Sequence, residues 1–258
     1  MRVIIKDLKE TVLSLRFFLA LIFFIAFRYI VTSQEINFLS QGKGLFHMIH
    51  GSVIYLSKLY LFGPLLPLSM GITLIPYIDS FINDYKTGFL KYRVVRTGTD
   101  KYIASKISTT ILSTFLITTI GYSFLTILFS FLLPFASNNP VLHTWGLYSL
   151  SETKPEIFIT LVIILYALNF SFWALYSLYL TTLTNNKYLS LIGSVFTMLF
   201  LNDVFIKLFK VRFDDLMLGS LKIVNPLFSF LASLVITLVL ITLLATLISS
   251  NIKKVVKE

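Results

Sequence analysis

The sequence predicts an all-α, polytopic membrane protein, and three observations carry that expectation. Apolar residues make up 56% of the 258 positions and charged residues only 13%, against about 25% charged in ordinary globular domains. The mean hydropathy is +0.85, with 25 Phe and 13 Tyr. Apolar stretches long enough for a helix to cross ~30 Å of hydrocarbon, about 20 residues each, recur along the chain between short polar segments. A soluble fold of this size has too little interior for so much apolar surface, so the expected solvent is lipid. A disordered chain, a secreted disulfide scaffold and a freestanding nucleic-acid binder are thereby excluded. The absence of cysteine removes thiol catalysis, disulfides and thiolate metal sites together.

Six spans are expected within a single transmembrane domain covering 1–258, at about 12–32, 59–81, 107–135, 157–183, 188–206 and 226–250. The first, from Val12, is interrupted by Arg16 and Arg28, both near enough to an end to snorkel toward headgroups. The second carries Pro64, Pro67 and Pro76 and is expected to be kinked or partly unwound. The third, fourth and sixth contain no charge in their interiors, and the fifth has Asp203 close to one end. The N-terminus lacks the short apolar core and small-residue cleavage pattern of a removed signal peptide, so the first span is expected to remain in the mature protein.

An even number of spans puts both termini on one side. The loops on that side hold 14 Lys and Arg, and the opposite loops hold 8. The positive-inside rule then places both termini in the cytoplasm. The excess of Lys over Arg, 16 to 6, with abundant Ile, Phe and Asn, is the residue usage of an AT-rich bacterial genome. The expected location is therefore a bacterial plasma membrane.

Between the spans, residues 1–16 read as an amphipathic helix. Ile4, Leu8, Val12 and Leu15 recur at helical spacing, with Lys6, Lys9, Glu10 and Arg16 off that stripe. An interfacial helix along the inner leaflet is expected, the plainer alternative being a solvated extension of the first span. In the outer segment 33–58, His47 and His50 stand at i and i+3. No carboxylate follows at ligand spacing, so no metal site is assigned. The loop 207–225 alternates Phe209, Phe213, Leu216, Met217 and Leu218 with Lys210, Arg212, Asp214 and Asp215. That pattern is too apolar for a solvated loop and fits short broken helices dipping into the outer leaflet, with Asp214 and Asp215 salt-bridged at the surface rather than catalytic.

The segment between spans two and three carries the most chemistry. Phe81, Tyr85, Phe89 and Tyr92 fall at i, i+4, i+8 and i+11, a single aromatic stripe on one helix. Asp84 suits a helix start, the basic residues Lys91, Arg93 and Arg96 gather toward the end, and Arg96-Thr97-Gly98 breaks the helix. Basic residues here can hold anionic lipid, whereas the aromatic stripe asks for a partner groove.

Six spans, an amphipathic start and this loop together resemble the permease subunit of type-2 ABC exporters. That family carries an acidic residue, then a glycine, then an Arg–x–Gly–x3–Tyr–x3–Lys run before span three. The matching positions are Asp84, Gly88, Arg96, Gly98, Tyr102 and Lys106; the acidic position is Glu in many members and Asp here. Asn225-Pro226 opening the last span after a re-entrant outer loop is a second match. The resemblance implies that the loop is a cytoplasmic coupling helix docking on a separate ABC ATPase subunit, with Asp84, Tyr85, Gly88, Phe89, Tyr92, Arg93 and Arg96 as its contact residues.

The chain has no G-x-x-x-x-G-K-[ST] phosphate loop. ATP and Mg are therefore expected on the partner ATPase, with no cofactor on this chain, no catalytic residue and no nucleic-acid partner. A permease of this size is half of a membrane pathway, so a second copy or a related permease is expected to face it in the bilayer. The resemblance favours export of an amphipathic or hydrophobic substrate such as a peptide, an antimicrobial or a lipid-like molecule. No substrate-binding residue is assigned. The alternative is a secondary transporter or channel not driven by ATP, which commonly places ionisable groups at mid-membrane. An intramembrane enzyme is disfavoured, since no paired carboxylates lie within a span and all three His (47, 50 and 143) fall in outer segments.

Overall fold

The computed structural model describes residues 2–40, 66–131, 154–211, 213–217 and 226–257. Among them all regular structure is helical, in ten elements: α1 (Arg2–Val12), α2 (Leu15–Ser40), α3 (Leu66–Leu74), α4 (Ile78–Lys86), α5 (Phe89–Thr97), α6 (Thr99–Ser130), α7 (Pro155–Thr184), α8 (Lys187–Phe209), α9 (Phe213–Met217) and α10 (Pro226–Lys257). Five are long and apolar enough to cross a membrane: α2 over Leu15–Ser33, α6, α7, α8, and α10 over Phe228–Val256. The architecture is that of a multi-pass membrane protein.

Local sequence explains where the helices stop. Pro155 and Pro226 sit at the first positions of α7 and α10, where a missing N–H costs nothing. Asn185 closes α7 in the left-handed conformation at φ 51°, and the Asn186 side chain caps α8 by accepting from the Tyr188 and Leu189 N–H groups at 3.0 and 3.3 Å. Two asparagines thus make the tight reversal between the fourth and fifth expected spans.

The expected second span differs. Residues 59–65, with Pro64, lie outside the described residues, and the remainder is not one helix. α3 ends at Leu74, a turn carries Pro76, and α4 begins at Ile78. Proline has no N–H and crowds the preceding turn, so the ladder breaks there. Other boundaries extend into polar sequence. α6 begins at Thr99 rather than at 107, and α10 runs beyond 250 to Lys257, because Lys and Asn are compatible with a helix that continues out of hydrocarbon. α2 likewise continues to Ser40; His47, His50 and His143 fall outside the described residues, as do Arg212, Leu218, Asn225 and the side chains of Asp214 and Asp215.

α7 is the central helix. It packs against α3, α4, α6, α8 and α10, and buries Tyr166, Asn169, Phe170, Trp173 and Leu175 along its length, as expected of a helix that is apolar all round. α6 lies against it through small and hydroxyl residues. Ser171 of α7 donates to the Ile111 carbonyl of α6 at 3.2 Å, and Thr110, Thr118 and Thr126 return their hydroxyls to carbonyls one turn back, each at 2.8 Å. Such residues let membrane helices approach closely without stranding a polar group. Gly121 of α6 is needed for packing, since a Cβ there would stand 2.5 Å from the Phe24 ring of α2.

α1, the start of α6 and the end of α10 meet at one end of the bundle, termed basal here. Asp7 of α1 accepts from Ser105 of α6 at 2.5 Å, and Lys253 of α10 reaches Asp100 of α6 at 2.8 Å. Ile4, Leu8 and Val12 are half-buried while Lys6, Lys9 and Glu10 are exposed, so this part of the stripe is covered by α6; the helix ends at Val12, and Leu15, expected on the same stripe, opens α2 and is exposed. At the opposite, apical end, α9 is a single turn docked on three helices. Phe213 packs on Phe205 of α8 at 5.1 Å and Trp173 of α7 at 6.1 Å between ring centroids, and Ser233 of α10 donates to the Leu216 carbonyl at 2.7 Å.

Phe213 is therefore an anchor for the loop between α8 and α10. Phe213→Asp is expected to destabilise the protein by about 3 kcal/mol or more, since it removes a buried ring and adds an unpaired carboxylate. Phe213→Leu should lose far less. Thermal unfolding of the two purified variants in detergent checks this, and equal transition temperatures for Phe213→Asp and wild type would refute the packing role.

Candidate functional site

At the basal end the chain makes two consecutive glycine-bounded helices. α4 stops at Thr87 and Gly88, which adopts φ 73°, a left-handed conformation that glycine enters at little cost. α5 then stops at Gly98, with φ 85° and ψ 143°, whose N–H bonds the Val94 carbonyl at 2.8 Å. The break after Arg96-Thr97 agrees with the sequence reading. The break at Gly88 does not: one helix over Asp84–Tyr92 was expected, and two are found. Asp84 consequently lies in the last turns of α4 rather than at a helix start. Nothing stands within 4 Å of a Cβ built at Gly88, so this glycine supplies backbone conformation and not a close approach.

The turn divides the aromatic stripe. Phe81 is fully buried and stacks on Tyr85 at 6.4 Å, whereas Tyr85, Phe89 and Tyr92 are exposed, Tyr92 at 79% and the neighbouring Val95 at 87%. Phe89, Tyr92, Val95 and Arg96 line an open concavity of about 480 Å³ with Thr87. Of the expected contact residues, Phe89, Tyr92 and Arg96 thus share an accessible face of α5, and Tyr85 is exposed on α4.

Asp84 points the other way. It is 8% exposed, and its Oδ2 accepts from three groups: Lys106 Nζ at 2.8 Å, the Tyr102 hydroxyl at 2.9 Å and Arg93 at 3.4 Å. Lys106 also donates to the Ser80 carbonyl at 3.1 Å and to the Ser80 hydroxyl, and its ammonium lies 5.5 Å from the Tyr102 ring centre. Tyr102 and Lys106 come together because residues four apart share a helix face. Their meeting with Asp84 is tertiary: α4 must fold back on the start of α6. Arg93, and not Arg96, supplies the second cation; the two lie one turn apart on α5 and border a common cavity with Asp7 and Tyr102.

The cluster borders a polar cavity of about 300 Å³ between α1, α4, α5 and α6, lined by Asp7, Glu10, Arg16, Asp84, Arg93 and Lys106 among others. Three carboxylates face three cations there, so the cavity is close to neutral overall. α5 carries an accessible apolar face, and Arg93, Asp84, Tyr102 and Lys106 tie α4 and α5 to a helix that runs the length of the bundle.

Arg28 is the residue that sequence reasoning placed wrongly. Expected to snorkel, it is 0% exposed, with its guanidinium carbon 6.0 Å from the Tyr122 ring centre. α2 turns Phe23, Tyr29 and Ile30 outward, so Arg28, on the opposite face, points into the bundle. Asn169 and Trp173 are likewise buried, and the Asn169 amide and Trp173 Nε1 meet no hydrogen-bond partner among the described residues. The signal available in the sequence was a charge inside an apolar run; its direction was not available.

Removing Asp84 should be costly because it strands Lys106. Asp84→Leu is expected to destabilise by about 3–5 kcal/mol, and Asp84→Leu combined with Lys106→Met to recover most of that loss. Lys106→Met alone should cost less, since Arg93 and Tyr102 still donate to Asp84. Thermal unfolding of the three variants in one detergent tests the order, and additive losses in the double variant would refute the ion pair.

No protein-family model matches this chain, and no curated protein and no solved structure matches it, so the functional reading rests on the geometry of the site.

Proposed function

We propose that this chain is the permease subunit of an ATP-driven exporter of the type-2 ABC class, crossing the bacterial plasma membrane six times with both termini in the cytoplasm. The observation that carries the reading is an exposed aromatic face on α4 and α5, tied through the buried Asp84–Tyr102–Lys106 contacts to membrane-long α6. A cytoplasmic ATPase needs two things of its permease: a surface to grip, and a stiff connection from that surface to the transport path. Phe89, Tyr92 and Arg96 offer the first, and the cluster around Asp84 offers the second. ATP and Mg belong to the ATPase, and a second permease copy or a related chain completes the pathway.

Six crossings fit the chain direction. The chain leaves the basal end along α2 and leaves it again along α6, so it must return between them, and α3–α4 is the described segment lying on that return. The excess of Lys and Arg on the basal side, 14 against 8, sets that side in the cytoplasm. A reporter fused after Glu258 is expected to be cytoplasmic and one inserted near Asn138 external; finding both on one side would sink the six-span topology.

A secondary transporter or channel is the competing reading, and buried Arg28 is the observation that favours it. A guanidinium does not release its proton at any physiological pH, so it cannot serve as a proton relay, and the ATP-driven reading is preferred. The substrate is amphipathic or hydrophobic.

The test is the partner. Aromatic anchors in an interface contribute about 2 kcal/mol or more each. Phe89→Ala with Tyr92→Ala should therefore release the ATPase on copurification and abolish permease-dependent ATP hydrolysis, while the permease inserts normally. Copurification at wild-type stoichiometry with unchanged hydrolysis would overturn the coupling assignment.

A further inference from the structure

The polar cavity at the basal end is lined by opposite charges that do not meet across it. Its walls include Asp7 and Glu10 of α1, Arg16 at the start of α2, Asp84 of α4, Arg93 of α5 and Lys106 of α6. Asp84 and Lys106 are engaged with each other at 2.8 Å. Asp7 and Glu10 stand at i and i+3, on one face of α1. Asp7 accepts from the Ser105 hydroxyl at 2.5 Å, and Glu10 reaches the exposed Lys6 at 3.7 Å. Arg93 reaches Asp84 through one nitrogen at 3.4 Å, so most of its five-donor fork is directed at no protein acceptor among the described residues. No ion pair joins Arg93 to Asp7 or Glu10 among those residues. A second cavity, of about 230 Å³, has the same three side chains in its wall, together with Lys6, Arg96 and Tyr102. Two carboxylates and a guanidinium thus border open space without pairing. A bare anion placed there meets Asp7 and Glu10, and a bare cation meets the arginines. A ligand that carries both charges satisfies both walls.

We propose that this basal cavity binds a phosphoethanolamine group, with its ammonium on Asp7 and Glu10 and its phosphate on Arg93 beside Arg16. A primary ammonium has three N–H donors for carboxylates, and a guanidinium pairs with two phosphate oxygens at once. A choline headgroup fits less well. Its quaternary ammonium has no N–H and is held by aromatic faces, and the described residues lining the larger cavity include no aromatic ring. The bearer of the group is a phospholipid of the leaflet on the basal side. Leu15, Phe18 and Leu19 flank Arg16 on α2, and Ile75 precedes Pro76 of the cavity wall; all four are exposed, as suits residues at the boundary between headgroups and acyl chains. Bound there, the headgroup bridges α1 to α5, which face each other across the second cavity. The inference rests on the multi-pass architecture and the basal geometry, not on the permease reading.

The experiment uses the purified full chain in dodecyl maltoside, without ATP or ATPase, and reads thermal unfolding against added dioleoyl lipid. Phosphatidylethanolamine is expected to raise the transition temperature saturably, at a half-saturating concentration about tenfold or more below those of phosphatidylcholine and phosphatidylglycerol. Asp7→Asn combined with Glu10→Gln removes both carboxylate charges and keeps an amide oxygen that accepts from Ser105. That double variant should lose the preference and respond to phosphatidylglycerol at least as well as to phosphatidylethanolamine, because the wall it leaves is net positive. Free O-phosphoethanolamine separates the sources. A response to the lipid alone supports the site and assigns it to the bilayer, and an equal response to the free ester supports the site and makes its ligand a soluble one. Equal responses of wild type to all three lipids overturn the proposal, as does an unchanged phosphatidylethanolamine preference in the double variant. Should the double variant fail to fold, native mass spectrometry of wild type in an equimolar mixture of the three lipids decides. One retained phosphatidylethanolamine supports the site, and adducts in the ratio of the mixture overturn it. Because no ATPase is present, failure here leaves the permease reading standing, and the copurification of the Phe89/Tyr92 variant bears on that reading alone.

Discussion

The contact between Asp84 and Lys106 is the constraint on which the basal half of this protein depends. Both groups are nearly buried, and each would be expensive to bury alone, so neither α4 nor the first turns of α6 can move without the other. The carboxylate oxygen at their centre also holds Tyr102 and Arg93, which extends the constraint from α4 to α5. Ser105, one residue before Lys106, ties α1 to the same turn through Asp7. Four helices are therefore registered on one short stretch of α6.

The two glycines beside this cluster make that registration geometrically possible. Gly88 turns the chain so that Asp84 faces inward while Phe89 and Tyr92 face outward. A continuous helix would have put all four aromatics on one side and left Asp84 and Arg93 on different azimuths. Gly98 then lets α6 begin immediately, with Tyr102 and Lys106 on the face that meets α4. The apolar face and the ionic cluster are two sides of the same folded segment, which is how a force applied at α5 would reach α6.

The apical half is organised differently. Packing there runs through the aromatic residues of α7 and its neighbours, with Gly121 allowing Phe24 to reach α6. Thr118 and Thr126 satisfy their hydroxyls on carbonyls of their own helix. Arg28 is buried there beside the Tyr122 ring, as Lys106 is buried at the basal end against Asp84 and Ser80.

The solvent of this protein and much of its helical layout were legible in the sequence alone. Apolar runs, prolines at helix starts, paired asparagines and the Gly98 break are local signals, and a helix responds to local signals because its hydrogen bonds are local. Only the tertiary structure decided that Arg93 rather than Arg96 joins Asp84, that Gly88 splits the aromatic stripe, and that Arg28 points inward. In a soluble helix the polar face announces the outside; in a lipid-solvated helix both faces are apolar, so periodicity no longer says which way a lone charge points. That choice belongs to the neighbouring helices, and they are brought together only by the fold.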